Sequence, residues 1–193
     1  EEFNKLILGL GHGSFIISED QVKSFSDISY VVTLDSDSQL PRGVVQKLIG
    51  TISHPLNCPI LDSEKRKVIE GYSIIQPRVG VSLMSAHASH FAKIFAGHAG
   101  LDPYTQTVSE VYQDLFREGS YIGKGIYDVA AFHHALEGRV PENALLSHDL
   151  FEGLFARTAL ATDIELYDDF PARYHVHAKR QHRWARGDWQ LLL

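Results

Sequence analysis

The chain predicts an α/β fold: a mixed, largely parallel sheet flanked by helices. Three observations carry that reading. The run Ile28-Ser-Tyr-Val-Val-Thr-Leu34 is rich in β-branched residues and stops at two carboxylates, Asp35 and Asp37, as a buried strand meeting a loop would. Ile164-Glu-Leu-Tyr167 alternates apolar and polar residues with the period of a half-buried strand. Between these two, segments of helical period recur, so strands and helices alternate along the chain.

The composition narrows the class. At 193 residues the chain can bury one sizeable core, and a single domain is the expectation. Its 44% apolar and 22% charged residues describe a globular protein, not a disordered one. A net charge of −6 argues against general affinity for nucleic acid or for an anionic membrane. Cys58 is the single cysteine, so no internal disulfide can form. No apolar run reaches the length of roughly 18 to 20 residues that spans a bilayer. The chain starts within a helix-like pattern and ends in Trp189-Gln-Leu-Leu-Leu193 as apolar character rises, which predicts a piece cut at both ends.

In chain order, Phe3, Leu6, Ile7 and Leu10 predict a helix that ends in the Gly9–Gly13 turn. That Gly-x-Gly-x-Gly has Ser14 in place of the third glycine of a dinucleotide fingerprint, and it follows a helix instead of a strand. After the two aspartates, Leu40-Pro-Arg-Gly-Val44 should open a helix with Pro41 in its first turn. Residues 54–67 read as loop or short hairpin, and Ile74-Ile75-Gln76 as a strand interrupted by Pro77. Helices are expected over 82–95, 108–116, 127–136 and 150–160, the last with Ser147 as its N-cap. A short strand is expected at Ser120–Gly123, and a basic helix over 173–189.

Three constellations carry chemistry. Asp35 and Asp37, one residue apart beyond a strand's carboxyl end, supply hard oxygen ligands for a divalent cation; two acids in a plain strand-to-helix turn are the alternative. Ser147-His148-Asp149 offers a carboxylate that could act as general base, or ordinary capping chemistry. Lys179-Arg180-Gln181-His182-Arg183-Trp184-Ala-Arg186-Gly-Asp-Trp189 suits a phosphate clamp beside a sugar-stacking face, or a basic helix with two core tryptophans. The eleven histidines match no zinc spacing and read as surface or scattered polar residues. Gly119-Ser-Tyr-Ile-Gly-Lys-Gly125 fails as a P-loop, because its glycine spacing is wrong and no Ser or Thr follows the lysine. Cys58 lies in a Pro-flanked loop with no base partner.

Taken in order, Asp35-x-Asp37, Asp149 at a later helix start and Arg183-Trp184 after it resemble the pattern of the processive family-2-type glycosyltransferases: Asp-x-Asp, Thr-Glu-Asp, Gln-x-x-Arg-Trp. The chain is more similar still to the glycosyltransferase domain of the bacterial cyclic β-1,2-glucan synthases. The segments Tyr30–Asp37, Glu70–Val79, Asp102–Thr105, Val111–Phe116, Gly123–Val129 and Arg180–Trp184 carry that likeness. Two departures stand out: Ser147-His148 replaces Thr-Glu, and Arg180 stands where the pattern has Gln, with Gln181 one place late.

The resemblance implies a GT-A core whose first strands lie outside this chain. It implies Mg²⁺ or Mn²⁺ held by Asp35 and Asp37 on the diphosphate of UDP-glucose, with Asp149 as catalytic base. Arg180 or Gln181, with Arg183 and Trp184, would line the diphosphate and acceptor sites. The partners implied are UDP-glucose and a glucan acceptor, with no nucleic acid. The parent would be membrane-embedded, with this soluble segment on the cytoplasmic face of the bacterial inner membrane. Two other readings remain open from residues alone: a non-catalytic or incomplete nucleotide-sugar-binding piece, and a haloacid-dehalogenase-type phosphotransferase, which would want Thr or Val where Gln39 stands.

Overall fold

The β-branched run at 30–33 sits at one edge of a four-stranded sheet in the computed structural model, which describes residues 2–11, 13–16, 25, 27–62, 64–97, 111–139, 145 and 148–192. In chain order the elements are α1 (Glu2–Ile7), β1 (Tyr30–Thr33), α2 (Val44–Ile52), β2 (Ile60–Asp62), β3 (Lys67–Glu70) and β4 (Ile74–Val81). Next come α3 (Leu83–Ala86), α4 (His90–Phe95), α5 (Val111–Phe116), β5 (Gly125–Asp128) and α6 (Val129–Leu136). The last three are α7 (Asp149–Ala156), β6 (Thr158–Asp168) and α8 (Tyr174–Leu192).

The main sheet has the order β1-β5-β4-β6, and β2 pairs with β3 in a separate hairpin. β5 runs antiparallel to both β1 and β4, while β4 and β6 run parallel, so three of the four strands share one direction. A mixed, mostly parallel sheet flanked by helices is the architecture, as the alternation of patterns predicts. Side chains alternate across it. Ile74 and Tyr127 face a layer built with Ile7, Phe132, Leu136 and Ala156, whereas Ile75 and Ile126 face Val44, Leu48 and Ile52 of α2. Leu48, Ile74 and Leu166 have no exposed surface, so both faces of the sheet are sealed.

Several local expectations are corrected. Pro77 does not interrupt β4. It sits where the parallel ladder with β6 shifts register, after the pairing of Ile74 and Ile75 with β5 has ended, so its missing N–H costs no ladder bond. The helix after the aspartates begins at Val44, with Pro41 in the preceding turn instead of the first helical turn. The single helix expected over 82–95 is two short ones, because Ser82 and Ser89 each cap a new start by accepting from the N–H three residues on. Ser120–Gly123 is not a strand; the strand begins at Gly125 and runs through Tyr127, which the helical reading had claimed. The helix from 150 stops at Ala156, and the β-rich residues after it open β6. His133 is buried, not a surface residue. Ser147 and Asp102–Thr105 lie outside the described residues. No helix among the described residues is long and apolar enough to cross a membrane.

Candidate active site

β1 delivers Asp35 and Asp37 past its carboxyl end into a tight turn, in which the Ser38 N–H donates to the Asp35 carbonyl at 3.1 Å. Ser38 closes this turn in a second way: its Oγ accepts from the Asp35 N–H at 3.2 Å and donates to Asp168 Oδ1 at 2.7 Å. Asp168 ends β6 and is 2% exposed. Between Asp35 and Asp168 stands Lys124, whose Nζ lies 2.8 Å from Asp35 Oδ2 and 2.6 Å from Asp168 Oδ2. Burial alone would lower the pKa of Lys124, but hydrogen bonds to Asp168 and Asp35 overcome that and raise it, so the ammonium stays charged. Asp37 has its own cation. Arg180 of α8 donates from Nη2 to Asp37 Oδ2 at 3.1 Å.

The segment that leads into Lys124 is pinned at two points. The Gly119 N–H donates to the Thr158 carbonyl at 2.7 Å, and the Ile122 N–H to the buried Gln76 Oε1 at 3.1 Å. Tyr121, 3% exposed, shares a 3.0 Å hydroxyl hydrogen bond with Thr33 at the end of β1. Gly123 then turns with φ 84°, and a Cβ there would stand 2.9 Å from both carboxylate oxygens of Asp149. Gly125 has φ 142°, and a Cβ there would meet the Ile75 carbonyl oxygen at 2.3 Å. Gly123-Lys124-Gly125 is thus a wedge: one glycine admits Asp149, the lysine ties Asp35 to Asp168, and the second glycine lets β5 start against β4.

Asp149 is half-buried at the first position of α7. Burial raises its pKa above the ordinary carboxylate value, the Asp35 charge adds to the rise, and His148 and Lys124 oppose it. One helical turn on, burial and the Asp149 charge push Glu152 up to about 7. The acid expected as a base therefore lies close to the acids expected as cation ligands, on the other side of the wedge.

α8 is seated by an aromatic cluster: Phe91 of α4 packs on Phe170, Tyr174 and His177 with ring centroids 5.8 to 5.9 Å away. That seating brings Arg180 to Asp37 and sets its guanidinium 5.5 Å from the Trp184 ring centroid. Trp184 is half-buried, Trp189 is 65% exposed, and Gln181 and Arg183 are exposed. Neither tryptophan belongs to the core. Of the four residues expected on this helix, the structure brings Arg180 to the Asp-x-Asp turn and Trp184 beside it; Arg183 shares their face by its i, i+3 spacing.

Among the described residues, no group of three or more His, Cys, Asp or Glu side chains is arranged to hold a metal ion. The two aspartates still fit a cation of the Mg²⁺ type, which keeps several waters and takes one or two carboxylates plus substrate phosphates. Each aspartate spends one named oxygen, Oδ2, on its protein cation. Lys124, Asp168 and Ser38 were missed from sequence. The signal available was the lysine between two glycines immediately before a strand.

No protein-family model matches the chain. Over 192 residues it is 53% identical to the cyclic β-(1,2)-glucan synthase NdvB of Rhizobium meliloti (strain 1021), an alignment that covers 99% of this chain and 7% of that protein. The chain thus spans a small fraction of the length of the curated relative it matches. At that identity over nearly every residue, the chain is homologous to one segment of a cyclic β-(1,2)-glucan synthase.

Proposed function

We propose that the chain is part of an inverting, divalent-cation-dependent glycosyltransferase domain of the GT-A type, which moves glucose from UDP-glucose to a glucan hydroxyl. The observation that supports this reading is the approach of Asp149 to Asp35 across the Gly123-Lys124-Gly125 wedge, with Asp37 two residues on in the same turn. A strand-end acid pair and a separate acid of raised proton affinity are what a diphosphate leaving group and an attacking hydroxyl respectively require. The β-1,2 linkage rests on the relative's name, and attachment to a membrane-embedded parent on the family resemblance.

Asp149 takes the proton of an acceptor hydroxyl as that oxygen attacks the anomeric carbon on the face opposite UDP. The α-linked donor gives a β-linked product in one displacement. A raised pKa suits the role, because a base must take the proton and then release it near the working pH. Asp35 and Asp37 would hold Mg²⁺ or Mn²⁺, which offsets the charge of the diphosphate when bound. Arg180 and Arg183 supply fixed positive charge along the same face of α8, and Trp184 an apolar wall for a sugar ring. Lys124 and Arg180 offset two of the four formal negative charges of Asp35, Asp37, Asp149 and Asp168.

The test is Asp149→Asn in a full-length synthase carrying this segment. UDP-glucose turnover should fall about 10²- to 10⁴-fold, the usual contribution of a positioned general base, with UDP affinity retained. Turnover within a factor of a few of the parent removes Asp149 from the chemistry.

A further inference from the structure

The Gly-Lys-Gly wedge does more than separate two acids. Lys124 contacts the Asp35 carboxylate directly, while Asp168 reaches Asp35 only through Lys124 and through Ser38. The lysine side chain is 9% exposed and that of Asp168 2%, so this cation is a fixed part of the site, not a mobile surface charge. Asp35, by contrast, is 59% exposed and so open to a ligand. With one acid already neutralised by Lys124 and its neighbour by Arg180, and no third ligand gathered beside them among the described residues, the protein alone offers a free divalent ion little. A diphosphate changes that balance. It brings oxygen ligands for the ion and negative charge for the ammonium.

We propose that Lys124 is a built-in counter-cation that reserves the Asp35–Asp37 turn for a divalent ion arriving with a nucleoside diphosphate, against the free ion. This role rests on the metal-dependent reading above. Lys124 acts here as a positioning residue, through the charge and place of Asp35. Its strength is set by Asp168, which shares the ammonium and so weakens its hold on Asp35.

The sharing gives opposite predictions for two variants. Asp168→Asn keeps the shape of the buried pair but leaves the ammonium to Asp35, and free Mn²⁺ should bind at least about three-fold more weakly. The double variant K124M/D168N removes the cation without stranding a buried carboxylate, an exchange that buried ion pairs tolerate. Free Mn²⁺ should then bind at least about three-fold more tightly than in the unaltered chain, and the gain from UDP should shrink.

Calorimetric titration of a full-length synthase carrying this segment with MnCl₂, with and without saturating UDP, reads all of this without any turnover assay. Thermal melts report whether each variant is folded. The unaltered chain should bind Mn²⁺ at least about ten-fold more tightly with UDP than without. Equal affinity with and without UDP overturns the role of Lys124 and leaves the metal-dependent reading standing. No Mn²⁺ binding even with UDP removes that reading, and the role of Lys124 with it. Variants that both shift in the same direction report damage, not charge, and overturn the proposal. So does a double variant indistinguishable from the unaltered chain. Should the double variant not fold, the direction of Asp168→Asn decides alone.

Discussion

Asp35 and Asp37 each face a cation, whereas Asp149 and Glu152 lie one helical turn apart on α7, where burial acts on both and the Asp149 charge adds to it at Glu152. The residue types are nearly the same, and their surroundings differ in kind. The strand-end pair is exposed enough to meet water and is matched by Lys124 and Arg180. The helix pair is withdrawn from water, and burial raises the proton affinity of both members. Acids divided in this way, one set for cations and one for protons, are a common layout where a charged leaving group and a proton are handled together.

The sharpest way to break this comparison is at the glycine between the two pairs. Gly123→Ala adds a Cβ that would stand 2.9 Å from both Asp149 oxygens, closer than such atoms come, in a φ region that favours glycine. The Asp149 side chain must move. The backbone conformation alone should lower stability by about 1–3 kcal/mol, measurable by urea unfolding. In a full-length synthase carrying this segment, kcat should fall at least about ten-fold while the KM for UDP-glucose changes little. A loss in KM alone would mean that the wedge serves the strand-end pair and not Asp149.

Glu152→Gln tests the helix pair with a smaller effect. The folded pKa of Glu152, about 7, lies above its ordinary value of 4.5. The stabilising contribution is therefore fully present below about pH 4.5 and is lost as pH rises through about 7, where the folded protein must carry the buried charge. The glutamine variant has no such charge. It should be more stable than the parent at pH 8 by about 1–2 kcal/mol, and the advantage should shrink through pH 5 and vanish by about pH 4. Denaturation curves that stay parallel from pH 5 to pH 8 would show that Glu152 is not the strained partner.

Much of this arrangement was legible in the sequence, for reasons that also mark where reading stopped. β1 was visible because β-branched residues run without interruption into two acids, and α8 because its basic and aromatic residues recur at helical spacing. Local rules failed where a neighbour decided the outcome. Pro77 looks like a strand breaker until β5 ends beside it and the β6 ladder shifts to receive it. His133 looked like one of many surface histidines, yet the packing of α6 encloses it. Lys124 reads from the sequence as the lysine of a failed phosphate loop, because nothing local says that Asp35 lies 89 positions upstream and Asp168 44 downstream at the same point. Spacing rules find sites built from one segment. This one is assembled from the ends of three strands.

The smallest effect belongs to the brace on Asp37, and it separates the two pairs by a different lever. The Arg180–Asp37 contact of 3.1 Å joins side chains that are 21% and 31% exposed, so water and salt reach it. Arg180→Ala should cost no more than about 1 kcal/mol at low salt, counting the lost contact with the Trp184 ring. At 1 M salt the screening length is about 3 Å, and most of the ionic part of that cost should disappear. The pH-dependent gain of Glu152→Gln comes chiefly from burial and should survive the same salt. Unfolding both variants at 0.1 M and 1 M NaCl therefore sorts the acids by cause. Equal salt sensitivity in the two would mean that charge, not withdrawal from water, governs the helix pair as well, and the division between cation-holding and proton-handling acids would fail.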